Sequence, residues 1–210
     1  MSEESPMVFT TNPRLSFALH GNGADFEKAM ESVGREKTLA WLQNRVGDAI
    51  APEYLEGAIA AWFDAESNDE RVMARAELAE MLLDVDESTS ELLWEASMRH
   101  GFERDDSEQA FDAVSHLARF AEETGDPATA AELYIDFLNW RREAGRVSDP
   151  ESIHQAFEEI IRLAQASGEA AVAARFEHAH AEFASLDETG AESASEGDWS
   201  PNVGPYTGWD

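Results

Sequence analysis

Two Glu-x-x-His stretches, Glu151 to His154 and Glu177 to His180, are where this sequence comes nearest to metal chemistry. Residues three apart on a helix share a face, so each stretch can offer a carboxylate and an imidazole to one ion. Two such motifs turned inward, with two more Glu from other helices, build the di-iron site of ferritin-like bundles. Two features weigh against that reading. Glu151 lies beside Pro150, in the first turn of whatever helix follows. With 44 acidic residues in the chain, Glu-x-x-His also arises by accident. His178 and His180 form a His-x-His, whose members point to different sides of a helix and make a poor metal pair. A helical metalloprotein is therefore an alternative reading, and no metal, cofactor or catalytic residue is assigned. Gly-x-Ser-x-Gly and His-Glu-x-x-His are absent, and no Ser, His and Asp arrangement stands out. The chain has no Cys, which excludes disulfides, thiolate metal sites and a thiol nucleophile.

The charge narrows the partners. The 210 residues carry a formal charge of −29, from 44 acidic against 15 basic side chains, and Lys28 and Lys37 are the only lysines. A surface this negative repels phosphate backbones and anionic lipid heads, so neither nucleic acid nor a membrane is expected as a partner. The acid is spread along the whole chain. With lysine nearly absent, that spread reads as adaptation to the molar salt of a halophile's interior. There the screening length falls to about 3 Å and self-repulsion costs little. No apolar run approaches the roughly 20 residues of a membrane span. MSEESPMVF lacks the charged and apolar regions of a signal peptide, so a cytoplasmic location is expected.

These residues need helices to position them. The spacing predicts an all-α body of about eight or nine helices in short-looped pairs. Asp25 can cap a helix carrying Phe26, Met30 and Val33, and Gly34 closes it. Pro52 opens the next pair, with Leu55, Ile59 and Trp62 on one face. Ser67-Asn68-Asp69 and Asp126-Pro127 read as further helix starts. Trp41, Trp62, Trp94 and Trp140 fall on apolar faces and read as packing residues. Residues 1–23, with Leu15, Phe17 and Leu19 in alternation, read as an extended arm or single strand. Residues 24–186 read as the helical domain. Residues 187–210 read as an acidic linker followed by an aromatic tail.

Laying Gly125 on Gly168, an offset of 43 residues, superposes two helix–turn–helix segments. Leu117 meets Ile160, Phe120 meets Leu163, Ala121 meets Ala164, and Ala130 meets Ala173. The stretch VSHLARFAEETGDPATAAELYIDFLNW resembles the tetratricopeptide-like helical repeats. Leu117, Ala118 and Ala121 fall at that family's packing positions, Gly125-Asp126 at its turn, and Ala130 and Tyr134 at its small and aromatic positions. Val114 stands where the family carries Trp, its terminal Pro is absent, and 43 exceeds its usual period of about 34. The resemblance covers about residues 107–186 and implies an α–α superhelix; an irregular helical bundle is the alternative architecture.

The resemblance also implies a concave groove lined by first helices, with Ser115, Arg119 and Glu122 from one unit and Glu158, Arg162 and Gln165 from the next. Arg119 and Arg162 are equivalent under the offset, and two guanidinium forks side by side can hold a carboxylate. Each Arg can also pair with neighbouring Glu123 or Glu158-Glu159 on a solvated face. In the tail, Trp199, Tyr206 and Trp209 can dock in a groove, with the Asp210 carboxylate reaching an Arg. The leading expectation is thus a non-enzymatic adaptor. It binds a protein or peptide, its own tail or a second copy. An assembly chaperone for another enzyme is a further alternative.

Overall fold

The computed structural model describes residues 12–144 and 149–188. These form ten α-helices and, among the described residues, no strand. The helices are α1 (Pro13–Ala18), α2 (Gly23–Val33), α3 (Arg35–Val46), α4 (Pro52–Asp64), α5 (Asn68–Leu82), α6 (Glu87–Arg104), α7 (Ser107–Glu123), α8 (Pro127–Ala144), α9 (Pro150–Ala166) and α10 (Ala170–Glu188). Neighbouring helices pack on one another, which makes the fold all-α. None of the described helices is long and apolar enough to cross a membrane. The chain divides into two compact units, residues 1–97 and 98–210, with the boundary inside α6.

The helix beyond the expected nine is α1, in the segment whose alternation suggested an extended arm. Asn12 accepts hydrogen bonds from the backbone N–H groups of Arg14 and Leu15, and Pro13 presets φ for the first turn. Leu15 and Ala18, three residues apart, become one buried face, and Phe17 is left 80% exposed. Leu15, Phe17 and Leu19 fit a period of two and Leu15 with Ala18 fits one of 3.6, and the cap decides between them. Residues 1–11 lie outside the described residues. Asn22, not Asp25, caps α2, accepting from the Asp25 N–H at 3.1 Å.

In the first unit, Trp41, Trp62 and Trp94 are buried, as their spacing predicts. Trp62 Nε1 donates to Glu27 Oε1 at 3.3 Å. That carboxylate also receives Arg75 Nε at 2.7 Å and Nη2 at 3.2 Å. Arg75 is buried, and a buried guanidinium costs several kcal/mol of desolvation, roughly, unless a carboxylate offsets it. Buried Asp86 is likewise engaged, by Arg45 and by the Thr89 hydroxyl at 2.7 Å. Charge inside this unit is matched charge.

Within the second unit, two successive helix pairs keep one offset. Helices α7 and α9 begin and end 43 residues apart, and the starts of α8 and α10 keep the same offset. Asp106 caps α7 through the Gln109 N–H, and Asp149 caps α9 through the Ser152 N–H. At the far ends Gly125 and Gly168 take φ of +82° and +80°. Each is followed by a residue whose N–H reaches five back, Asp126 to the Ala121 carbonyl and Glu169 to the Ala164 carbonyl. This is the Schellman arrangement, which reverses the chain and folds the second helix onto the first. Burial repeats along the first helices, with Ala113 and Ala156, Val114 and Phe157, and Phe120 and Leu163; between α8 and α10 only Ala130 and Ala173 are buried alike, and the two second helices otherwise bury different faces. Alanine at these contacts lets helices approach closely. Trp140 packs against this core, as expected.

The turn from α6 into α7 has the same form with Asp105 at the left-handed position, φ 56°, and Asp106 N–H donating to the Gly101 carbonyl. The cap of α7 is Asp106. Asp105 instead accepts from Arg141 Nη1 at 2.8 Å, a fully buried guanidinium lying over Trp140.

Candidate functional site

First helices α7 and α9 touch directly, as well as through α8. Arg162 on α9 bridges to Glu122 on α7 with both ends of its fork, Nη2 to Oε1 at 2.7 Å and Nη1 to Oε2 at 3.0 Å. Its Nε donates to Glu159 Oε2 at 2.7 Å. These hydrogen bonds, Glu122 first, raise the Arg162 pKa above its ordinary value. Beside them stands Tyr134 of α8, buried and hydrogen-bonded with Ser115. Burial pushes the Tyr134 hydroxyl above its usual pKa; the Ser115 bond works against that rise. Ser115 in turn donates to the Phe111 carbonyl at 2.9 Å.

Three of the predicted residues, Ser115, Glu122 and Arg162, therefore meet in one polar cluster on α7, α8 and α9. The sequence reading names Tyr134 only as a packing aromatic and Glu159 only as a possible neutralising neighbour. Both belong to the cluster. Their signal was present: Glu159 sits three residues before Arg162 on the same helix face. Of the two readings of Arg119 and Arg162, the structure shows the neutralised one, each paired with a nearby Glu, and not two open guanidinium forks. Arg162 already holds the chain's own carboxylates, and Arg119 rests against Glu123 at 3.7 Å. Gln165 turns to α10, donating to Glu177 Oε1 at 3.1 Å. Trp199, Tyr206, Trp209 and Asp210 lie outside the described residues.

The two Glu-x-x-His stretches meet through their histidines only. His154 Nδ1 and His180 Nε2 are 2.8 Å apart, from α9 and α10. Burial lowers the His180 pKa, the His154 charge lowers it further, and Glu158 opposes both. The glutamates of the motifs turn elsewhere: Glu151 accepts from Gln155 at 3.3 Å and Glu177 from Gln165. Among the described residues no group of three or more His, Asp or Glu side chains is arranged to hold a metal ion. His178 sits apart, 3.4 Å from Glu182 on the solvated side of α10.

Exposed large apolar side chains among the described residues are Phe17, Tyr54, Met73 and Val85, all in the first unit. The α7–α9 face is thus polar. No family model, curated protein or solved structure matches the chain. What fold and surface define is an all-α protein of packed adjacent helices, with a helix pair repeated at one offset and a carboxylate-rich face across its two first helices.

Proposed function

We propose that the protein is a non-enzymatic interaction module of a halophile's cytoplasm, binding a protein or peptide across the face of α7 and α9. The observation that carries the reading is the repeated helix pair with its first helices side by side. Stacked pairs of this kind present a continuous surface built from equivalent positions, as tetratricopeptide-like repeats do, and the step from that fold to binding is analogy. The spread of acid, −29 over the chain, supports the salt-rich setting. Glu122 and Glu159 against Arg162 leave one excess negative charge on the face. It suits a partner segment offering cations or hydrogen-bond donors. The tail supplies a second contact through Trp199, Tyr206 and Trp209. A carboxylate at Asp210 would meet Arg119 more readily than Arg162, whose fork is filled.

The test is capture from a lysate of the source cells in about 1 M salt, where the screening length is about 3 Å and non-specific charge pairing is suppressed. Three baits are compared: the full chain, a form ending at Asp187, and the double variant Glu122→Lys, Glu159→Lys. A partner held by the full chain and lost with the double variant supports the face. A partner lost only on truncation moves recognition to the tail. No enriched protein, or capture indifferent to both changes, refutes the reading.

A further inference from the structure

The repeat supplies an internal control for the histidine pair. Under the offset of 43, His154 corresponds to Phe111 and His180 to Phe137. In the first copy those two phenylalanines pack with ring centroids 5.4 Å apart. In the second copy the two imidazoles pack at 5.0 Å. The same helices, the same turn and the same ring-on-ring contact are therefore built once with apolar rings and once with metal-ligating ones. Ring packing alone does not require histidine at either place.

The surroundings hold the imidazoles in position. His180 stacks on Phe157 with centroids 5.3 Å apart and planes 16° from parallel. His154 meets Phe183 edge-on at 4.9 Å. Phe157 and Phe183 are buried, so each imidazole leans on a fixed wall while keeping part of its surface in solvent. The facing atoms are one Nδ1 and one Nε2, both ligand atoms when deprotonated.

We propose that His154 and His180 form a two-imidazole site for a first-row divalent transition ion, Zn2+ or Cu2+, across α9 and α10. Tetrahedral Zn2+ with Zn–N of about 2.0–2.1 Å sets two ligand nitrogens about 3.3 Å apart. From 2.8 Å, the half-exposed rings need to part by about 0.5 Å. Binding moves the donating ring's proton to its own far nitrogen, so that both facing nitrogens offer lone pairs to the ion, and water fills the remaining coordination positions. Glu158 lies one turn after His154 on α9 and is exposed, so its carboxylate can swing in as an oxygen ligand. Imidazole nitrogen selects Zn2+, Cu2+ or Ni2+ over Mg2+ and K+. That selectivity matters in a chain whose 44 acidic side chains attract every cation. The site stands independently of the interaction reading.

The test uses the full chain, stripped with chelator and held in excess Mg2+ to occupy the surface carboxylates. Calorimetric titration with Zn2+ is expected to show one equivalent of binding that Mg2+ does not displace. His154→Phe and His180→Phe, which copy the first unit's own residues, should each weaken it by about tenfold or more, as loss of a ligand exceeds loss of an outer partner. His178→Ala should leave it unchanged. In the unsubstituted chain, the ring 15N resonances of His154 and His180 should move together as Zn2+ is added, and the Cu2+ form should show nitrogen hyperfine splitting from two imidazoles. The proposal is overturned if no Zn2+ binds in excess Mg2+, if binding survives both Phe substitutions, if His178→Ala abolishes it, or if Zn2+ binds while both ring resonances stay still. The resonance measurement needs no substitution, so a variant that fails to fold does not protect the idea.

Discussion

Replacing Gly125 or Gly168 by Ala isolates the turn that recurs in this unit. Both glycines sit at φ near +80°, and a Cβ built at either position meets nothing within 4 Å. Packing therefore contributes nothing to the cost, and the backbone carries all of it. An L-residue in the left-handed region costs about 1–2 kcal/mol. The loss of glycine's freedom in the unfolded chain returns about 0.4–1 kcal/mol. The net expectation is a destabilisation of about 1 kcal/mol at each site, or a fall in melting temperature of about 2–4 °C for a chain of this size. Because the two turns share their φ and their hydrogen bonds, the two penalties should agree within about 0.5 kcal/mol, and the double variant should cost their sum. Urea unfolding followed by far-UV circular dichroism measures all three. Unequal penalties would show that the turns are alike in shape but not in mechanics. A cost above about 3 kcal/mol at either site would exceed any backbone cost of this kind and refute the open-space argument.

Two further outcomes follow from particular contacts. A Cβ at Gly101 would lie 2.7 Å from the Ala110 backbone nitrogen and 2.9 Å from its Cα, so α6 could not approach the start of α7. Gly101→Ala should destabilise by about 1–3 kcal/mol despite alanine's higher helix propensity, and a stabilised variant by the same urea assay would contradict the close approach. Asp126 caps α8, and the Thr129 hydroxyl, then the Thr129 N–H, hold its carboxyl below the usual range. Its contribution is present above the unfolded carboxylate value of about 3.9 and is lost as pH falls through the lower folded value, so Asp126→Asn should flatten the acid limb of stability against pH. An acid limb identical to that of the unsubstituted chain would show that the cap does not titrate with folding.

How much was legible in the sequence depended on whether the governing interaction was local. Helices α2 to α10 declare themselves through apolar spacing, Gly and Pro punctuation and capping residues, all within a few positions of one another. The offset of 43 was readable because Gly125 and Gly168 answer to the same backbone demand. Helix α1 was missed because Leu15, Phe17 and Leu19 alternate, whereas the helical face is Leu15 with Ala18, and the cap at Asn12 outweighs the alternation. The polar cluster was half readable. Arg162 and Glu159 share a helix face, but the Glu122 bridge spans 40 residues and depends on how closely α7 and α9 approach. Neutralisation of Arg119 and Arg162 by Glu123 and Glu159 was readable from abundance: with nearly three acids for every base, a guanidinium on an exposed face finds a carboxylate of its own chain first. Arg141 with Asp105 was invisible for the opposite reason. Nothing local marks an arginine as buried, and the pairing rests on an Asp held in a turn normally given to Gly.

The two copies also show where function should be sought. Where the backbone makes a demand, at the Schellman turns, the acidic N-caps and the alanine contacts, the copies agree in kind. Elsewhere they differ widely: buried Leu138 and Arg141 of α8, for example, answer to Ala181 and Ala184 of α10. Phe111, Tyr134 and Phe137 of the first copy become His154, Glu177 and His180 in the second, and Ser115 becomes Glu158. In the first copy Phe111 packs against both Tyr134 and Phe137; in the second the two imidazoles meet, while Glu177 turns to Gln165. Exchanging apolar rings for titratable ones does not strengthen a core, since a neutral imidazole brings two polar nitrogens that must each find a partner. Two such exchanges at equivalent positions of one helix pair, Phe111 with His154 and Phe137 with His180, call for a reason other than packing. The histidines, already in contact, are where a ligand can supply it.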